Sequence, residues 1–97
     1  MKPYYAQYVS HCCRFYFNNP LKTEFENEVE KKDFISVEQA LKTITEEDRN
    51  YLKKIYTNKG FIKTIRYLSS IYRKEKNYFW KLVVGFERKV AIERKLL

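Results

Sequence analysis

His11, Cys12 and Cys13 carry the most reactive side chains of the chain, and they stand side by side in an aromatic run. A thiol beside an imidazole suggests a nucleophile with its base, and Cys with His suggests a zinc site. The spacing serves neither. Adjacent positions of a helix diverge, so His11 cannot meet Cys12 as a base meets a nucleophile. A structural zinc site needs further ligands, yet His11 is the single histidine and the two cysteines are the only two. Neighbouring cysteines rarely pair with each other. With no disulfide framework, the expected compartment is a reducing cytoplasm. Two glycines cannot build a phosphate-cradling loop. The carboxylates gather in helix first turns and on a solvated face, where capping and solubility account for them. No enzyme, cofactor or metal is expected.

The remaining chemistry is basic. Residues 1–48 hold six Lys/Arg against nine Asp/Glu, a net of −3. Residues 49–97 hold fourteen against three, a net of +11. Such asymmetry over 97 residues points to a basic working face and an anionic partner. Nucleic acid, an acidic protein and an anionic membrane are the classes it admits. No apolar run is long enough to span a bilayer, and no secretory signal follows Met1. The final helix mixes charges around its circumference, which argues against a membrane surface.

These residues need elements to position them. With 44% hydrophobic and 33% charged residues, the composition is that of a folded globule. Few Gly and Pro leave long unbroken runs and favour helices. The expected fold is all-α, one small domain over 1–97 with five to six helices. Residues 1–44 form its aromatic and acidic part, and residues 45–97 its basic helix-turn-helix part. Tyr5, Tyr8, Val9, Cys12, Phe15 and Tyr16 predict a helix over 4–17, with Pro3 at its first turn. Its Tyr4/Tyr5/Tyr8 cluster can pack on the core or seat a second copy of the chain. Asn19 and Pro20 predict the start of a second helix carrying Leu21, Phe25 and Val29 inward. Ser36 with Gln39 predicts the next start, stapled by Ile35 and Ala40. Thr45 is a cap followed by Glu46, Glu47 and Asp48, where negative charge suits the helix dipole. That helix should end at Gly60. Residues 61–72 predict another helix, 73–76 a basic connector and 77–94 the last helix, with Phe79, Leu82, Phe86 and Val90 buried. Trp80 lies just off that face and reads as core or as an exposed anchor for a partner.

On these helices the basic residues fall in a pattern. Lys76, Asn77, Tyr78 and Lys81 lie outward on the first turns of the last helix. Asn can read adenine and Lys can donate to guanine or phosphate. Lys63, Arg66, Arg73 and Lys74 stand beside them as phosphate contacts, and Arg88, Lys89, Arg94 and Lys95 extend the row toward a further phosphate or form a solvated face. The segments ALKTITEEDRNYLKKIY and GFIKTIRYLSSIYRKEKNYFWKLVVGFERKVA resemble region 4 of sigma-70-type factors. They are similar also to the small sigma-like proteins of phages and mobile elements of Gram-positive bacteria. Leu41, Ile44, Glu46, Glu47 and Arg49 match the family's leucine-containing, acidic start, and Ser69 matches its small residue in the bracing helix. The turn departs from the family: Arg73 replaces its glycine and Lys74 its apolar residue. The resemblance covers about half the chain, includes no region-2-like segment, and implies duplex binding more than promoter melting. The expected function is a DNA-binding transcriptional regulator with duplex DNA as partner, and RNA polymerase or another host protein as a further one. The alternative is a non-enzymatic adaptor or inhibitor that docks an acidic protein. Single-strand binding by exposed Tyr and Trp is a third reading.

Overall fold

The computed structural model describes residues 3–19 and 21–97. Its elements are five helices: α1 (Ala6–Asn18), α2 (Glu28–Leu41), α3 (Glu46–Thr57), α4 (Phe61–Tyr72) and α5 (Lys76–Glu93). No strand occurs among the described residues. The all-α expectation holds at that level.

The longest helix, α5, is central. It packs against each of the other four, while α4 packs chiefly on α3 and α5. The step of three and four residues that brings Phe79, Phe86 and Val90 inward buries all three completely. Val83 is nearly as buried, whereas Leu82 is half-buried at the margin. One apolar cluster joins all five helices. At its centre Phe17 of α1 stacks on Tyr56 of α3, with ring planes 5° apart, and Phe86 of α5 approaches both rings at 6.3 and 6.5 Å. These aromatic contacts add to the burial of large rings.

Polar groups enter this core in pairs. The buried Tyr56 hydroxyl donates to Glu87 Oε2 at 2.5 Å. The phenol is held well above its ordinary pKa, first by burial and then by Cys13 and Glu87 nearby. At the edge, Tyr8 of α1 and Arg94 Nε at the end of α5 both donate to Asp33 Oδ1 of α2, at 2.6 and 2.7 Å. The end of α5 is closed by a Schellman arrangement: Lys95 takes the left-handed place at φ +62, and Leu96 N–H reaches the Ala91 carbonyl at 2.8 Å.

Several expected boundaries move. The helix expected from Asn19 does not form there. Asn19 ends α1, where its side chain donates to the Phe15 carbonyl at 2.9 Å. Pro20, read as that helix's first residue, lies outside the described residues. Residues 21–27 are not helical. Leu21 is 90% exposed rather than buried, Val29 is exposed, and Phe25 packs on the Phe34 ring at 5.1 Å. Asn27 is the true cap and accepts the Glu30 N–H at 2.9 Å. Ser36 opens nothing. It is buried mid-helix and donates to the Lys32 carbonyl at 2.7 Å, the interior use of serine that competes with capping. Two expected helices are therefore one.

The stripe of α1 is also rotated. Val9, Cys12, Cys13 and Phe17 are buried, while Tyr8 is 39% exposed and Phe15 and Tyr16 are half-buried. Thr45 caps α3 as expected and accepts the Asp48 N–H at 3.2 Å. Gly60 does adopt a left-handed φ of +84, but it stands before α4 rather than ending α3. Asn58 closes α3 by donating to the Lys54 carbonyl.

The Tyr8 hydroxyl and the Cys12 thiol set a pH dependence. Tyr8 and Cys12 are each raised to about 12, both chiefly by burial, from ordinary values of 10.0 and 9.0. A folded-state pKa above the unfolded one gives stability that is full below the unfolded value and lost as pH climbs through the folded one. The unfolding midpoint is expected to hold until the unfolded cysteine and tyrosine values of 9.0 and 10.0 and then to fall toward about 12. Thermal melts followed by circular dichroism check this. The nine tyrosines should reach full tyrosinate absorbance only as helix is lost; full absorbance with the helices intact would contradict the buried network.

Candidate nucleic-acid interface

α4 and α5 are consecutive helices of 12 and 18 residues joined by the three residues 73–75. The turn is short because Arg73 adopts the left-handed conformation, φ +54 and ψ +39, at the end of α4. Ser69, one turn earlier, donates its hydroxyl to the Lys74 carbonyl at 2.5 Å and ties the turn back onto α4. A non-glycine residue in this region carries a steric cost of about 1–2 kcal/mol, so the surrounding contacts must hold it there.

The cap of α5 is Glu75, in extended conformation, and its side chain makes no bond to the first-turn amides. With Phe79, Val83, Phe86 and Val90 inward, the helical period puts Asn77, Lys81 and Arg88 on the opposite face. All three are exposed, as is Lys76. The inward Ile65 and Leu68 likewise turn Lys63 and Arg66 of α4 outward, and both are exposed with Arg73. Among the described residues, Lys63, Arg66, Arg73, Lys76, Lys81 and Arg88 make no ion pair.

Lys74 and Tyr78 are placed differently. Lys74 is half-buried and pairs with Glu47 at 3.6 Å, its ammonium lying 4.4 Å from the centre of the Tyr78 ring. Tyr78 donates to Asp48 Oδ1 at 2.5 Å. That carboxylate is the largest cause of the Tyr78 pKa rising to about 12, so the phenol keeps its proton. Glu47 is held below the usual carboxylate range, first by the Tyr51 hydroxyl that donates to it at 2.6 Å and then by Lys74. The acidic first turn of α3 thus serves its own helix N-terminus and grips the first turn of α5. Reading the sequence supplied only the first of these roles. No local signal carried the second, which depends on the approach of α3 to α5.

The basic end of α5 divides in the same way. Arg88 faces outward, while Lys89 donates to the Thr43 hydroxyl at 2.9 Å and Arg94 is engaged by Asp33. Trp80 is 37% exposed at the edge of the core, its ring edge-on to Phe61 at 6.5 Å. Of the N-terminal tyrosines, Tyr5 is buried, Tyr8 is held by Asp33, and Tyr4 donates to the Leu96 carbonyl. Cys12 and Cys13 are core residues, both thiols raised in pKa chiefly by burial. Among the described residues no three His, Cys, Asp or Glu side chains converge as metal ligands, and no helix is long and apolar enough to cross a membrane.

No family model matches the chain, and no curated protein or solved structure is similar to it.

The left-handed turn yields a test. Arg73→Gly removes the steric cost and is expected to stabilise the protein by about 1 kcal/mol. Chemical denaturation measures it, and a loss of stability would contradict the conformation described at this position.

Proposed function

We propose that the protein binds duplex DNA through α4 and α5, used as a helix-turn-helix, and regulates transcription. The observation that carries this reading is the outward row on α5, Asn77, Lys81 and Arg88, flanked by Lys63, Arg66, Arg73 and Lys76 without an ion pair among them. The first turns of the second helix enter the major groove in this motif. Asn77 and Lys81 sit where base edges would be met, with donors that suit adenine and guanine. Lys63, Arg66, Arg73 and Arg88 would take phosphates and fix the register without reading sequence. Lys74 and Tyr78 act from behind, holding the first turn of α5 to α3.

The likeness to region 4 of sigma-70-type factors supports a regulator of the small sigma-like kind found on phages and mobile elements. Two features favour it. The left-handed residue stands at the family's glycine position, and Ser69 braces the turn from the family's small-residue position. A contact with RNA polymerase is part of that proposal.

One observation favours the second reading, an adaptor or inhibitor that docks an acidic protein. Ile62, Tyr67 and Ile71 of α4 are 59%, 62% and 50% exposed beside the basic row. Apolar anchors inside a charged rim are the usual composition of a protein interface.

Fluorescence anisotropy with a labelled random-sequence duplex separates the two. Lys81→Ala is expected to weaken duplex binding by about 1–3 kcal/mol while leaving the circular dichroism and melting curve unchanged. Unchanged affinity in the folded variant would remove Lys81 from the interface. Failure of the parent protein to bind at low salt would move the adaptor reading to the front.

A further inference from the structure

A cavity of about 600 Å³ lies between α1, the start of α4 and α5, and its Val84 wall adjoins the outward row of α5. Its size falls within the range of about 300–1,000 Å³ seen for small-ligand sites. The two walls differ in chemistry. One is apolar and aromatic, made of Phe61, Trp80, Val83 and Val84. The other is a row on α1 at helical spacing, Gln7, Ser10, His11 and Arg14, which offers hydrogen-bond donors and one fixed cation. Arg14 closes one side, with its guanidinium carbon 5.0 Å from the centre of the Phe61 ring. Glu87 also reaches the lining, but its carboxyl is engaged by the Tyr56 hydroxyl.

We infer that this cavity binds a small aromatic carboxylate, with its ring against Trp80 and Phe61 and its carboxylate on Arg14. Among the described residues of the lining, Arg14 brings the positive charge and Glu87 a carboxyl already held by the Tyr56 hydroxyl, so an anionic group is met at the Arg14 end. The opposite wall suits a flat apolar body, because a phenyl ring, an indole and two valines present mostly apolar surface, with the indole N–H as their one donor. A guanidinium suits a carboxylate geometrically, since its parallel donors meet both oxygens. The site involves none of the residues proposed to contact DNA, so it stands or falls independently of that reading.

The protein has a single tryptophan, which gives the site its own reporter. In a ¹⁵N-labelled sample Trp80 contributes one indole N–H cross-peak. Titration with 2-naphthoate is expected to move that peak saturably, with calorimetry giving one site per chain. Neutral 2-naphthamide should bind about tenfold more weakly or worse, as should 2-naphthoate to the Arg14→Gln variant, the loss expected for one charged hydrogen bond. Arg14 is exposed, so the variant should keep the parent spectrum elsewhere. An unmoved Trp80 peak would overturn the inference. So would equal affinity for the amide, or full affinity in Arg14→Gln, since either would leave only an apolar surface.

Discussion

The placement of the candidate interface depends on one buried contact, the Tyr56 hydroxyl on the Glu87 carboxyl. A carboxyl in an aromatic core is tolerated only with a donor in place, because its desolvation is otherwise uncompensated. That donor comes from α3, and the acceptor from the middle of α5. The pair therefore fixes both the position of α5 along α3 and its rotation about its own axis. Phe17, Tyr56 and Phe86 pack around it and leave little freedom to slide. With Phe79, Val83, Phe86 and Val90 inward on the same helix, the residues half a turn from that stripe point outward, and these are Asn77, Lys81 and Arg88. No buried side-chain nitrogen or oxygen among the described residues lacks a partner, as a core of this kind requires.

Charge is segregated on top of this frame. The acidic residues of α2 and of the first turn of α3 do not form a separate half of the molecule. Asp33 holds Arg94, and Glu47 and Asp48 hold Lys74 and Tyr78. Each contact takes some positive potential out of the basic half and spends it on fastening α5. What is left exposed is the row on α4 and α5, so the acidic part sharpens the basic face instead of cancelling it. Partly exposed pairs of this sort contribute little stability. Their effect is geometric, in setting where the first turn of α5 stands relative to α3.

Much of this was legible in the sequence, and the parts that were not share a cause. The helices over 61–72 and near 77–94 are set by long apolar steps with Gly60 before the first and the basic connector between them, and they form as read. Thr45 with three acidic residues after it is a local signal, and it too holds. Ser36 carried the same local signal, but helix interiors also accept serine when it bonds one turn back, so its meaning depended on where the chain had already begun to coil. Asn19 and Asn27 both suit a cap; Asn27 prevails in a segment where Phe25 packs onto Phe34, a tertiary fact that periodicity cannot supply. For the interface, burial alone identifies Asn77, Lys81, Lys63 and Arg66 as outward. The engagement of Lys74 and Tyr78 required the approach of α3, and the cavity beside Arg14 required three helices at once.

The central claim is that the outward cations of α4 and α5 meet the DNA backbone. The dependence of duplex affinity on salt tests it most directly. Each neutralised phosphate adds about −0.9 to the slope of log affinity against log salt. With Lys63, Arg66, Arg73, Lys76, Lys81 and Arg88 exposed together, the account predicts a slope of about −3 or steeper and tight binding at low salt. A slope near zero, or no binding at low salt by the folded protein, would contradict it.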